Sequence, residues 1–76
     1  MAALYAEIRE KEEEIFRRNK NKATLSRAGL ARELGAGEIV AQKWAEERGI
    51  GIPIGARVRY EVRQVAKHIV QERGMY

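Results

Sequence analysis

Apolar residues recur at helical spacing near the start of the chain, in a segment from 2 to 19 that is rich in Ala and Glu and lacks Gly and Pro. This pattern predicts a solvated helix. Lys11 and Glu12 interrupt its apolar side, which is too short and irregular for a sustained coiled coil, so we expect it to fold back on the domain. The polar segment NKNK (19–22) predicts a linker. Four residues form the apolar side: Leu4, Ile8, Ile15 and Phe16.

Two short helices are predicted next, each closed by a glycine. The first follows Ser26, a good N-cap residue, and carries the i, i+4 pair Leu30 and Leu34 before Gly35. The second occupies EIVAQKWAEERG (38–49). A glycine-containing turn of about three residues between two helices is typical of a helix-turn-helix. Four residues of the second helix are expected to face inward: Val40, Ala41, Trp44 and Ala45.

The period of the pattern changes to two after Gly49. Isoleucine alternates with glycine and proline, and the run RVRY (57–60) then alternates arginine with an apolar residue. This alternation predicts two strands, joined by a tight turn at Gly55-Ala56. Pro53 cannot donate a ladder hydrogen bond, so its strand belongs at an edge. Since a two-stranded ribbon is barely stable alone, we expect the apolar residues of RVRY to face the helices and both arginines to project outward.

Helical spacing returns in the last segment, EVRQVAKHIVQERG (61–74), which predicts a final helix. His68 is the only histidine and has no second His or Cys to share a metal, so we expect a structural or surface role for it. No nucleophile–base pair or glycine-rich phosphate loop is visible, and we expect neither enzymatic activity nor a cofactor or metal. Four residues of this helix are expected to face the core: Val62, Val65, Ile69 and Val70.

Composition narrows the class of protein. A chain of 76 residues forms one domain with one small core. The net charge of +4 and the pI near 9.8 favour polyanionic partners, chiefly nucleic acid. Without cysteine there is no disulfide framework, which suits a reducing compartment. The acidic N-terminal segment is unlike a secretory signal, and no apolar run is long enough for a membrane span, so we expect a cytoplasmic protein that does not enter a membrane.

Residues 25–70 resemble the excisionase and MerR-like group of small winged-helix DNA-binding domains. The resemblance rests on LARELGAGEIVAQKW (30–44), on the ribbon IPIGARVRY (52–60), and on the helix that begins at Glu61. It implies a mainly α fold with a small β-hairpin. The expected organisation is an N-terminal helix and linker at 1–22, preceding a winged helix-turn-helix at 23–76.

In such domains the second helix of the pair enters the major groove, and the hairpin contacts phosphates or the minor groove. Gln on that helix suits adenine and Lys suits guanine. Glu can accept a hydrogen bond from a cytosine amine, and a thymine methyl or a protein partner can cover Ile. The segment from Glu38 to Arg48 carries a net charge of −1, which disfavours approach to phosphates. Seven candidate DNA-binding residues follow: Arg27, Glu38, Ile39, Gln42, Lys43, Arg57 and Arg59.

The leading interpretation is a sequence-specific double-stranded DNA-binding protein of a phage or mobile element, an excisionase-like recombination directionality factor that also contacts an integrase. A small phage or plasmid transcriptional regulator and a terminase-small-subunit-like packaging module need the same groove-reading device. A protein-interaction module without DNA binding is an alternative of another class, motivated by the acidic second helix and by Ile39. We expect a monomer in solution that associates on DNA.

Overall fold

Four α-helices and three short β-strands make up residues 2–73, the part of the chain described by the structure, a computed structural model. The expected mainly helical fold with a small hairpin is confirmed. Gly74, expected within the last helix, lies outside the described residues. The elements are α1 (Ala2–Arg18), β1 (Thr24–Leu25), α2 (Arg27–Leu34), α3 (Glu38–Glu47), β2 (Ile52–Ile54), β3 (Arg57–Glu61) and α4 (Val62–Arg73).

The three strands form one antiparallel sheet in the order β1–β3–β2. β2 and β3 are the expected hairpin around Gly55-Ala56, and β2 lies at an edge, as Pro53 predicted. β1, which was not predicted from the sequence, pairs Leu25 with Tyr60. Directly opposed residues point to the same face of a sheet, so these two side chains enter the core together, and both are buried.

Local backbone chemistry sets where the elements begin and end. The Ser26 hydroxyl accepts a hydrogen bond from the Gly29 N–H at 3.1 Å, which confirms the expected N-cap of α2. Gly35 ends that helix with a left-handed φ of 65°. Gly51 leads into β2 with a φ of 144°, and a Cβ there would lie 3.1 Å from Cγ1 of Val58. Glycine therefore lets the chain pass close under the hairpin.

The core lies where α1, α2, α3 and α4 meet the inner face of the sheet. α1 packs extensively along α4, so the expectation that the first helix folds back is confirmed. Of the α4 residues expected inside, Val62, Val65 and Val70 are buried and Ile69 packs against the core. No helix among residues 2–73 is long and apolar enough to span a membrane. The largest fully buried side chains are Ile15, Leu25, Leu30 and Val65.

Three residues expected to face inward are exposed. Val40 is 60% exposed because α3 turns Ala41 and Ala45 toward the core, and a neighbouring helical position points about 100° away. Phe16 is 37% exposed for the same reason, since the adjacent residue of α1, Ile15, occupies the core. Val58 is 45% exposed because the hairpin extends past the helices, and only its base at the buried end of β3 reaches them.

Polar side chains fasten α1 to α2. Arg18 donates from Nη2 to Glu33 Oε1 at 2.6 Å and from Nη1 to Glu14 Oε1 at 3.1 Å. Asn19 Nδ2 donates to Glu33 Oε2 at 3.2 Å. The Glu33 side chain is only 7% exposed, so these donors offset the cost of burying its charge. The hydrogen bond to Glu33 raises the pKa of Arg18.

A second polar connection joins the end of α3 to α4. Arg48 donates through Nε to Glu72 Oε2 at 2.8 Å and through Nη2 to the other carboxylate oxygen, and Nη1 donates to the Trp44 carbonyl at 2.8 Å. The Arg48 guanidinium lies 4.6 Å from the centroid of the Trp44 ring, and His68 meets that ring edge-on at 6.4 Å. The hydrogen bonds from Arg48 hold the pKa of the Glu72 carboxyl below its ordinary value.

Candidate nucleic-acid interface

An open cleft of about 580 Å³ lies between the start of α2, the start of α3 and the hairpin. It gathers five of the seven residues that the sequence predicted for DNA binding, and these come from three different elements. The other two, Ile39 and Lys43, lie on α3 outside the cleft lining and are exposed. The five residues at the cleft are Arg27, Glu38, Gln42, Arg57 and Arg59.

A polar network already connects the helical side of this cleft. Arg27 donates from Nε to Glu38 Oε1 at 3.1 Å and from Nη1 to Gln42 Oε1 at 3.2 Å. Gln42 Nε2 donates in turn to Glu46 Oε1 at 3.1 Å. Both ends of the Gln42 amide are thus engaged, and the positive charge of Arg27 is paired. A ligand that binds through these groups must replace the internal hydrogen bonds.

The two hairpin arginines differ in their surroundings. Arg57 is exposed near the tip of the hairpin and makes no ion pair with another described residue. Arg59 is half-buried, and its guanidinium donates to Thr24 Oγ1 at 3.2 Å and to the Thr24 carbonyl at 3.1 Å. Both arginines alternate with Val58 and Tyr60 and so lie on the outward face, as expected, but the guanidinium of Arg59 is held by Thr24 and connects β3 to the short strand β1.

Two isoleucines share the outward face of the hairpin with these arginines. The register pairs Ile52 with Arg59 and Ile54 with Arg57, and opposed residues point to the same side. Ile54 is 59% exposed. The position of the isoleucines on this face was not predicted from the sequence. The two-residue turn could have done so, since a tight turn at Gly55-Ala56 fixes which positions oppose each other.

The exposed surface of α3 combines apolar and acidic groups. Ile39 is 70% exposed, and Val40 extends the apolar surface beside it. Glu46, Glu47 and Lys43 are exposed on the same helix. The exposed polar groups of this helix include the Lys43 ammonium, but the helix as a whole carries a net negative charge, which does not attract phosphates.

Comparison of the chain with models of protein families, with curated proteins and with solved structures finds no significant match. Within the described part of the chain, no group of three or more His, Cys, Asp or Glu side chains is placed to hold a metal ion. The geometry of the cleft and the charges around it are the observations on which a function can be argued.

Proposed function

We propose that this protein binds double-stranded DNA sequence-specifically, as a winged helix-turn-helix in which α3 reads the major groove and the hairpin is the wing. The observation that carries the proposal is the convergence of polar, groove-reading side chains from α2, α3 and the hairpin on one open cleft. The order of α2, turn, α3, hairpin and α4 is also that of a winged helix-turn-helix.

Each side chain has a chemical role in this arrangement. Arg57, exposed at the hairpin tip, pairs with a phosphate or enters a narrow minor groove. Gln42 offers its amide to the adenine edge and Lys43 its ammonium to guanine. Ile39 covers a thymine methyl, and Glu38 accepts from a cytosine amine. Arg59 holds the base of the wing through Thr24 and adds positive potential there.

The network around Arg27 couples phosphate contact to base reading. A phosphate that takes Arg27 from Glu38 and Gln42 frees both acceptors on α3 at the moment when the helix approaches the bases. On non-cognate DNA the freed carboxylate finds no donor and adds repulsion toward the phosphates. We therefore expect weak non-specific binding and a high ratio of specific to non-specific affinity.

The resemblance of residues 25–70 to the excisionase and MerR-like group supports a role in a phage or mobile element. The leading proposal is a recombination directionality factor that acts with an integrase. A small transcriptional regulator or a terminase-small-subunit-like packaging module would use the same surface. A neighbouring gene for an integrase, a repressor target or a large terminase would distinguish these roles.

A second candidate function is protein recognition by α3. Ile39 and Val40 form an exposed apolar pair at the start of this helix, and Glu46 and Glu47 follow near its end. Such a surface suits a partner with an apolar contact and basic rim. Failure of the protein to shift any duplex at low salt, where contacts with the phosphate backbone are strongest, would favour this function.

The test is selection of binding duplexes from a random pool, followed by fluorescence anisotropy across a salt series. Arg57→Ala removes one phosphate contact, so the slope of log K against log salt should fall by about 0.9. Gln42→Ala should relax base preference with little change in slope. Arg17→Ala is the matched control, since it removes the same charge from an exposed site of α1 outside the cleft.

The parent protein should select a defined sequence, and Arg17→Ala should bind it almost as the parent does. The proposal of sequence-specific binding fails if no sequence is enriched. It also fails if Arg57→Ala and Arg17→Ala bind with the same affinity and salt slope, because the hairpin is then not a wing.

A further inference from the structure

A second exposed surface lies on α1, away from the cleft between α2, α3 and the hairpin. Six residues of α1 line an open groove of about 740 Å³ between α1 and α4, together with Arg63 and Lys67 of α4. Four of the six are spaced four, three and four residues apart, so they form one continuous line along the helix. We call them the α1 stripe: Tyr5, Arg9, Glu12 and Phe16.

The α1 stripe is separate from the side of the helix that builds the core. Ile15 is fully buried, whereas Tyr5 is 64% and Phe16 37% exposed. Two large aromatic side chains at the ends of a helix surface gain little by facing water, and aromatic residues are enriched in the buried centres of protein interfaces. Their exposure therefore indicates a surface that a partner covers.

The pattern of the stripe matches the a and d positions of a heptad repeat, with aromatic residues outside and opposite charges inside. In an antiparallel pair of such helices, the numbers of two facing residues always add up to the same value. If the two-fold axis passes midway between Arg9 and Glu12, Arg9 faces the second copy's Glu12, and Tyr5 faces the second copy's Phe16. Every layer is then complementary, with two ion pairs at the centre and an aromatic pair at each end.

A parallel pair would instead stack like charges. It would put Arg9 against the second copy's Arg9 and Glu12 against the second copy's Glu12, and both of these charged layers would be repulsive.

We infer that the α1 stripe is a self-association surface that binds the stripe of a second copy in antiparallel orientation about a two-fold axis. The stripe covers only about two heptads, so the pairing is weak in free solution and strengthens where two copies are held together. This inference does not depend on DNA binding, since the stripe and the cleft share no lining residue. It supplies a surface for the association that the sequence led us to expect on DNA.

Charge exchange between two chains tests the surface, and comparison of the mixed dimer with the parent dimer tests its direction. In an antiparallel pair both dimers have two central ion pairs and should be equally tight, whereas a parallel pair would make the mixed dimer tighter than the parent. Arg9→Glu alone and Glu12→Arg alone each place like charges opposite each other twice in the dimer. A mixture of the two variants restores both ion pairs in the heterodimer, which should form at least about 10-fold more tightly than either homodimer. The Glu12 side chain also pairs with Arg63 at 3.6 Å, a half-exposed contact whose loss should change stability only slightly.

The measurement is sedimentation velocity of the full chain from roughly 10 μM to 1 mM, the range in which weak dimers are populated. One variant carries a mass tag so that the heterodimer is identified. Arg17→Glu and Glu10→Arg are the control mixture, since they reverse the same charges on exposed α1 residues outside the groove. Phe16→Ala should abolish the parent's dimer while its circular dichroism stays unchanged.

The inference is supported if the parent dimerises with rising concentration and only the Arg9→Glu and Glu12→Arg mixture regains the dimer. It is overturned if the parent remains monomeric to the highest concentration, or if both mixtures behave alike. Normal binding of DNA by the Arg9→Glu variant would show that the cleft functions without the stripe, so failure of one proposal is distinguishable from failure of the other.

Discussion

At the scale of single residues, the two hairpin arginines have different tasks, since only one of them has a protein acceptor. Arg59→Ala removes both hydrogen bonds to Thr24 and loosens β1 from β3. We expect its free energy of unfolding to fall by about 1 kcal/mol. Arg57→Ala removes an exposed side chain that bonds to no described residue and should change stability by less than about 0.5 kcal/mol. Urea unfolding followed by circular dichroism measures both.

Thr24→Val is the companion variant for this prediction. It keeps a β-branched residue in β1 but removes the hydroxyl that accepts from Arg59 at 3.2 Å. It should lose part of the stability lost in Arg59→Ala, because the carbonyl of residue 24 still accepts. Equal stability of the two arginine variants would mean that Arg59 is held no more firmly in solution than Arg57.

Sequence reasoning succeeded for residues whose role depends on nearby positions. Ser26 and Gly35 could be assigned to helix ends because capping depends on the chain within a few residues. The hydrogen bonds of Arg59 could not be predicted, because Thr24, which accepts them, lies 35 positions away in a strand of only two residues. Val40 was misplaced because a short amphipathic helix defines its buried side only to within about one position.

At the scale of elements, Arg48 and Glu72 determine how firmly the end of α3 is held against α4. Contacts with Arg48 stabilise the ionised carboxylate and lower its pKa in the folded protein below the ordinary 4.5. A group whose pKa is lowered by folding stabilises the protein above its unfolded pKa, and this contribution disappears as the pH falls through the folded pKa. The pair therefore stabilises the protein at neutral pH and progressively less below about pH 4.5.

Glu72→Gln should therefore destabilise the protein at neutral pH by up to about 1 kcal/mol, the magnitude of a solvent-screened pair. The difference from the parent should shrink as the pH falls below 4.5. Urea titrations at a series of pH values give the comparison. Glu47→Gln is the control, because Glu47 lies 3.6 Å from the same arginine but is 74% exposed. A loss for Glu72→Gln that is independent of pH would show that the ionised pair is not its cause.

The elements themselves were largely predictable, because glycines, a proline and changes of period mark their limits. The four helices and the hairpin follow from those signals. β1 did not, since two residues are too few to establish an alternation, and its partner strand lies far along the chain. The exposure of Val58 could not be predicted either, because the sequence does not show how far a hairpin extends past the helices that support it.

At the scale of the whole molecule, the arrangement of two clefts on DNA depends on the symmetry with which two copies of the protein associate. A two-fold pair through α1 presents two clefts in opposite directions, which suits inverted half-sites on DNA. Copies that bind direct repeats side by side need a head-to-tail contact instead. The arrangement of half-sites recovered by selection therefore reports which association operates on DNA, and it bears on the choice between a regulator and an excisionase-like factor.

The last prediction concerns whether residues 23–76 form a domain on their own. α1 covers one side of α4 and contributes Ile15, which is completely buried in the shared core. Removing residues 1–22 would expose the apolar side of α4, and a chain this small has only about 5 kcal/mol of stability to lose. We therefore expect the 23–76 fragment to lack a cooperative unfolding transition by circular dichroism in urea.

In the full chain, Ile15→Ala should lower the free energy of unfolding by about 3–4 kcal/mol. Tyr5→Ala, a truncation at an exposed site of the same helix, should lower it far less. A fragment that unfolds cooperatively at the same urea concentration as the full chain would show that α1 is an appendage to an independent domain.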